Sequence, residues 1–181
     1  MVDEGLDEGN QGSEEDPEDG AGQVRAAFEW FDAVVEGSDY VAAWGLSDDE
    51  YRLTRAQAWL WNNRGAPDVG GTDLDEQAAS LARVPSRSPL WPEFADMELE
   101  MYQEVWAMWR RAQIEAASEP VPDDPDYEVV VFTDADPAAG GVTEADDVPA
   151  LPFLVHLVDG QWRVAQAGSD RRAVPGWPPV L

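Results

Sequence analysis

One histidine, His156, and a few tyrosine and aspartate side chains are the residues of this chain that could act as an acid or a base. An imidazole changes its charge near neutral pH and can serve as a general base. The other candidate catalytic residues lie in segments with helical spacing, from which they could enter a pocket: Tyr40, Tyr51, Tyr102 and Asp32.

The position of His156 follows from the sequence around Asp159-Gly160, a dipeptide typical of a two-residue hairpin turn. The turn pairs His156 with Arg163, and side chains alternate between the two faces along each strand. One face then carries Phe153, Val155, Leu157, Trp162, Val164 and Gln166. The other carries Leu154, His156, Val158, Gln161, Arg163 and Ala165. We expect the first face to contact the helices, which leaves His156 on the outer face.

No residue pattern indicates a metal or a cofactor. The chain has no cysteine, which excludes thiolate metal sites, disulfides and thiol nucleophiles. Five acids lie in the loop between the strands predicted at 127–133 and 151–158: Asp134, Asp136, Glu144, Asp146 and Asp147. Their spacing does not match a calcium-binding loop. Phosphate-binding, dinucleotide-binding and serine-hydrolase motifs are absent from the sequence. We predict no metal and no cofactor.

The charge of the chain excludes two classes of partner. Thirty-eight acids face eleven arginines and no lysine, for a formal net charge of −27. Such a surface cannot release counterions from nucleic acid and is repelled by anionic membranes. There is also no basic, apolar amino-terminal signal and no apolar run as long as a membrane span. The sequence therefore predicts a cytoplasmic protein that binds neither nucleic acid nor membrane.

The order of the predicted elements indicates an α+β domain at 23–181. Residues 1–22 carry nine acids and little apolar surface, which predicts a disordered acidic leader. Helices are predicted at 23–36 and after Ser47, where Ser47 and Glu50 form a capping-box pattern. The segment 97–112 fits both a helix and a strand, and its residue types favour the helix. Three strands follow, over 127–133, 151–158 and 161–167.

Several segments resemble the nuclear-transport-factor-2-like superfamily, which includes ketosteroid isomerase, scytalone dehydratase and polyketide cyclases. They are Phe28-Glu29-Trp30-Phe31 in the first helix and the closing hairpin with Asp159-Gly160-Gln161-Trp162-Arg163-Val164. The helical stretch 48–63 and the ending Pro175-Gly176-Trp177-Pro178 are similar to actinobacterial proteins of that type. The resemblance implies N-terminal helices packed on a curved, cone-like antiparallel sheet. It also implies a homodimer formed through the convex sheet face, with Leu154, His156, Val158 and Arg163 in the contact.

The sequence favours a binding function over catalysis. The isomerases and cyclases that it resembles place an acid on the inner wall of the cone, where this hairpin offers only Gln166 as a polar group. We predict a non-catalytic module that binds a small apolar ligand or a partner protein, with Phe31, Trp59, Trp162 and Gln166 as ligand contacts. One alternative is an isomerase, dehydratase or cyclase, which polar groups converging at the bottom of a cavity would favour. Another is an acidic decoy or inhibitor of a basic protein.

Overall fold

A computed structural model describes residues 19–69, 73–83, 85–135 and 149–181. Within these ranges five α-helices come first and four strands follow, which confirms the predicted α+β class. The helices are α1 (Asp19–Val35), α2 (Tyr40–Gly45), α3 (Asp49–Asn63), α4 (Leu74–Arg83) and α5 (Trp91–Val105). The strands are β1 (Ile114–Val121), β2 (Asp124–Asp134), β3 (Ala150–Val158) and β4 (Gln161–Ala167). No helix within the described ranges is long and apolar enough to cross a membrane.

The four strands form one curved antiparallel sheet in the order β1-β2-β3-β4. The predicted hairpin register is confirmed, because His156 pairs with Arg163 and Leu157 with Trp162. A bulge between Leu154 and Val155 then shifts the register, so that Leu154 lies opposite Gln166. Directly opposed residues share a face. The inner position predicted for Gln166 is therefore wrong, because simple alternation does not include the extra residue of a bulge.

Strand β1 was not expected from the sequence. It lies at one edge of the sheet and contains Pro120, which cannot donate a hydrogen bond to a strand ladder. Its other residues are mostly alanine, serine and glutamate, which have low strand propensity. An edge strand tolerates both features, since one side of its backbone faces away from the sheet. Pairing with β2 rather than local propensity therefore holds β1 in place.

The main core lies between the helices and the inner face of the sheet. Helix α1 packs across all four strands and against α5. Phe31 is fully buried, stacks on Trp106 and meets Phe132 edge to face. Each buried aromatic ring of this kind stabilises the fold by about 1.5–3 kcal/mol, because its apolar surface is removed from water. A smaller cluster of Tyr127, Leu154 and Ala165 lies on the outer sheet face.

Helix boundaries differ from the sequence prediction at three places. Helix α1 begins at Asp19, four residues before the predicted start, and residues 1–18 of the predicted leader lie outside the described residues. Helix α5 ends at Val105, so the helical interpretation of 97–112 holds only for its first part. The N-cap of α3 is Asp48, whose carboxylate accepts from the backbone N–H of Tyr51 at 2.7 Å. Ser47 instead donates to the carbonyl of Ala43 and accepts from Trp30.

Candidate functional site

Three helices bring five polar side chains together inside the protein. Tyr40 comes from α2, Tyr51 and Arg55 from α3, and Glu98 and Tyr102 from α5. Tyr51 and Arg55 are four residues apart, as are Glu98 and Tyr102, so each pair lies on one face of its helix. We call these five residues the polar cluster. These polar residues lie on helix faces that are otherwise apolar. Buried Trp59 is on the same face of α3, and buried Phe94 is on the same face of α5.

The centre of the polar cluster is a buried ion pair between Arg55 and Glu98. The guanidinium donates from Nε to Oε2 of Glu98 at 2.8 Å, and Nη2 contacts the same oxygen. The hydroxyl of Tyr40 donates to that oxygen at 3.2 Å. The two charged side chains are only 12% and 8% exposed. Pairing is what makes their burial tolerable, since an isolated buried charge loses its hydration without compensation.

The two remaining members form a hydroxyl pair. The phenolic oxygens of Tyr51 and Tyr102 lie 2.5 Å apart, and either can be the donor. Burial raises the pKa of Tyr51 well above its usual value and also raises that of Tyr102. The same effect, reinforced by the nearby Glu98 carboxylate, raises the pKa of Tyr40. All three phenols therefore stay protonated at neutral pH and act as hydrogen-bond donors rather than as bases.

Arg55 stays charged in this environment. Burial alone would lower its pKa, but Tyr102 and Glu98 outweigh that effect and raise the pKa well above its ordinary value. Within the described residues, Nη1 of Arg55 makes no hydrogen bond, while Nε and Nη2 are held by Glu98. The guanidinium is thus held in one orientation, and its Nη1 group is left to donate a hydrogen bond.

The polar cluster opens to an apolar groove of about 440 Å³. Arg55 and Tyr102 are the two residues of the cluster that line it. The walls are apolar and come from the end of α5, the residues after it and the sheet: Met101, Trp106, Trp109, Leu151 and Ala167. Val105 and Met108 lie at the same groove and are 64% and 67% exposed. A cavity of this size with two convergent polar groups is typical of a small-molecule site.

The structure brings together only part of the predicted site. Tyr40 and Tyr102 are in the polar cluster. Asp32 is not, because it lies at the surface, half-exposed, and its carboxylate is 3.3 Å from Nε of Arg111. Of the predicted ligand contacts, Phe31 is enclosed in the core and Trp59 donates to the sulfur of Met97. Trp162 borders a different cavity, and Gln166 is buried opposite Leu154. None of these four predicted ligand contacts lines the groove.

The predicted interface residues lie on the outer face, but internal contacts engage three of them. Leu154 is buried within the chain beside Tyr127. His156 stacks on the ring of Tyr127 with centroids 4.1 Å apart, and its Nδ1 lies 3.1 Å from Oδ2 of Asp48. Arg163 donates to the carbonyl of Gly45 at 2.9 Å. The homodimer itself stays a prediction.

Sequence reasoning missed Arg55, Glu98 and Asp48. A signal for the first two was present, because each is a charged residue in the middle of an apolar helix face. Charged residues are rarely buried unless they are paired, so an arginine and a glutamate on two such faces suggest each other as partners. The capping-box pattern of Ser47 and Glu50 places Asp48 in the first turn of α3, although a cap shifted by one residue also fits Ser47-Asp48-Asp49-Glu50.

The described residues contain no group of three or more histidine, aspartate and glutamate side chains arranged to hold a metal ion. Four of the five loop acids, Asp136, Glu144, Asp146 and Asp147, lie outside the described residues. Comparison of the chain with protein-family models, with curated proteins and with solved structures gives no match in any of the three.

Proposed function

We propose that this protein binds a small, largely apolar molecule with one neutral hydrogen-bond acceptor, such as a ketone or an ester. The observation that carries the proposal is the groove in which Arg55 and Tyr102 are the polar residues on otherwise apolar walls. The apolar part of the ligand packs against Trp106, Trp109 and Leu151. Its acceptor takes a hydrogen bond from Tyr102 or from Nη1 of Arg55, which has no partner in the described part of the chain.

The charge around the site supports a neutral ligand over an anion. Arg55 already faces the carboxylate of Glu98, so the pair has no net charge. A ligand carboxylate placed beside Arg55 would also approach Glu98, and it would enter against the net charge of −27. A neutral carbonyl takes the same donors without that repulsion.

The polar cluster supports binding better than catalysis. Within the described residues its one carboxylate is Glu98, which is already bonded by Arg55 and Tyr40. The tyrosines are held protonated by burial, so they can polarise a carbonyl but cannot remove a proton. The convergence of Tyr51 and Tyr102 at 2.5 Å is the observation that favours the enzyme alternative. Conversion of a bound ketone by the wild-type protein, lost in Tyr102→Phe, would support that alternative.

The superfamily resemblance remains part of the proposal. The helices-then-sheet order and the confirmed hairpin register support it. A role as an acidic decoy rests on the net charge alone and has no structural observation in its favour.

Three ligands of matched shape test the proposal: acetylnaphthalene, ethylnaphthalene and naphthoate, titrated by calorimetry. The ketone should bind about tenfold more tightly than the hydrocarbon, because it adds a hydrogen bond to a charged or buried donor. Naphthoate should bind more weakly than the ketone. Tyr102→Phe should reduce the advantage of the ketone and leave the affinity for ethylnaphthalene unchanged.

Tyr127→Phe is the matched control, since Tyr127 lies on the outer sheet face, away from the groove. It should leave all three affinities unchanged. Equal binding of the three ligands, or an equal loss in the two tyrosine variants, would contradict the proposal.

A further inference from the structure

A second cavity, of about 400 Å³, lies between the first turns of α1 and the β3–β4 hairpin. It shares no residue with the groove at the polar cluster. Arg25 and Arg163 both line it, together with Gln161, Trp162 and Glu29. We propose that this cavity binds a small aromatic phosphate, with the phosphate between the two arginines and the ring against Trp162.

Neither Arg25 nor Arg163 forms an ion pair with a carboxylate of the described residues. Arg163 donates from Nη1 to the carbonyl of Gly45 at 2.9 Å and from Nη2 to Oε1 of Gln161 at 3.1 Å. Both acceptors are neutral, so they orient the guanidinium without cancelling its charge. The side chain of Arg25, in helix α1, forms no hydrogen bond and no ion pair with any residue that the structure describes. Other arginines of the described chain do pair with carboxylates, namely Arg52, Arg55, Arg111 and Arg172.

The hydrogen-bonding groups of this cavity are mostly donors. Because the amide oxygen of Gln161 accepts from Arg163, its –NH₂ group is the part left to donate to a ligand. Two guanidinium groups and one amide –NH₂ require a ligand rich in acceptors. A phosphate supplies several acceptor oxygens and matches the planar fork of an arginine.

The aromatic wall explains why the ligand should also carry a ring. Trp162 is half-buried and packs against the backbone of α1 at Gly22. A Cβ atom at position 22 would lie 2.9 Å from Cδ1 of Trp162, so the indole can take this position only beside a glycine. Because Trp162 lines the cavity, its indole is available for apolar contact with an aromatic ring.

Two negative charges oppose binding of the phosphate: the net charge of the whole chain and the carboxylate of Glu29. The net charge of −27 repels any anion at long range. At physiological ionic strength this field is screened over about 8 Å, so the groups lining the cavity dominate. Among those groups is one carboxylate, Glu29, one helical turn from Arg25. Glu29 should weaken phosphate binding, and its neutralisation should strengthen it.

Calorimetric titration with phenyl phosphate at physiological salt tests the proposal. Phenyl phosphate should bind more tightly than either inorganic phosphate or benzyl alcohol. Arg25→Gln should weaken binding by about tenfold, as expected for loss of a charged donor. This variant should fold normally, because the side chain of Arg25 is exposed and forms no hydrogen bond within the described chain. Glu29→Gln should act in the opposite direction, and Arg87→Gln, at an exposed site away from the cavity, should have no effect.

Arg25→Gln should lower the affinity for phenyl phosphate and Glu29→Gln should raise it. This opposite effect distinguishes a specific site from weak attraction of the ligand to the surface. An equal loss in Arg25→Gln and Arg87→Gln would overturn the proposal, as would absence of binding at millimolar phenyl phosphate. An unchanged or reduced affinity in Glu29→Gln would also overturn it. Equal affinities for inorganic phosphate and phenyl phosphate would contradict the role of Trp162.

Discussion

The hydroxyl oxygens of Tyr51 and Tyr102 lie 2.5 Å apart, and each is the other's one hydrogen-bond partner within the described residues. Both rings are buried, and one of them lines the groove. The bond therefore fixes the position of the Tyr102 hydroxyl before any ligand binds. A ligand acceptor at Tyr102 meets a donor that is already oriented, so little conformational entropy is lost on binding.

Removal of one hydroxyl should destabilise the protein more than removal of both. Tyr51→Phe leaves the buried hydroxyl of Tyr102 without its partner, which costs about 1–3 kcal/mol. In the double variant, Tyr51→Phe with Tyr102→Phe, neither oxygen remains to be satisfied. Urea denaturation of the wild type, the two single variants and the double variant gives the coupling energy between the two hydroxyls. Additive losses from the two single variants would show that the bond contributes nothing to stability.

The Arg55–Glu98 pair should show a similar but larger asymmetry. Arg55→Met leaves Glu98 as a buried carboxylate without its cation, and loss of one buried partner typically costs about 3–5 kcal/mol. Arg55→Met combined with Glu98→Leu removes both charges and should recover a large part of that loss. Thermal and urea unfolding measure the difference. A double variant as unstable as the sum of its single variants would show that the two side chains are not energetically coupled and would contradict this prediction.

The N-cap carboxylate of α3 should make stability depend on pH. Burial raises the pKa of Asp48, and the contacts with Tyr51 and His156 oppose this effect only in part. A carboxyl whose pKa is raised by folding favours the folded state below its unfolded pKa, near 3.9, and that contribution is lost as the pH rises through the folded pKa. The free energy of unfolding of the wild type should therefore fall relative to that of Asp48→Asn as the pH rises across this window.

Asparagine is a suitable replacement because its side-chain oxygen also caps a helix. Comparing the two proteins cancels the general repulsion among the other acids. The matched control is Asp39→Asn at the exposed N-cap of α2, where the carboxylate accepts from Ala42. Urea denaturation between pH 4 and 8 should show the pH-dependent difference for Asp48 and not for Asp39. The same curve for both variants would exclude burial as its cause.

Two glycine-to-alanine variants test the close approach of α1 to Trp162. In a helix, alanine is favoured over glycine by about 0.5–1 kcal/mol. At Gly45 a Cβ would meet no atom within 4 Å, so Gly45→Ala should gain stability. At Gly22 the added Cβ would force Trp162 to move, so Gly22→Ala should gain less or lose stability. An equal gain in both, measured by thermal unfolding, would show that Trp162 is not held in place.

Local sequence patterns predicted those elements of the fold whose structure is determined by local interactions. The register of the β3–β4 hairpin follows from the turn at Asp159-Gly160, whose φ angles are both positive, as the observed turn requires. The bulge near Leu154 adds one residue to the β3–β4 pairing, so no alternation rule could place Gln166. Strand β1 likewise depends on its pairing with β2.

The candidate site was predictable only in part. The chemistry of the tyrosines makes them candidate site residues, and the helices do bring Tyr40, Tyr51 and Tyr102 together. Their convergence depends on how α2, α3 and α5 pack, which the sequence of one helix does not determine. Arg55 and Glu98 were missed because each appears unfavourable within its own helix, and only the neighbouring helix provides the opposite charge.

The segment that leads into α3 is also bonded to the edge of the sheet. Val164 donates its backbone N–H to Leu46 at 3.0 Å, and its carbonyl accepts from Asp48 at 2.9 Å. The first turn of α3 therefore cannot fray without breaking hydrogen bonds of β4. The helical layer and the sheet should consequently open as one cooperative unit, and the amides of Asp48 and Val164 should exchange with deuterium at the same, near-global free energy.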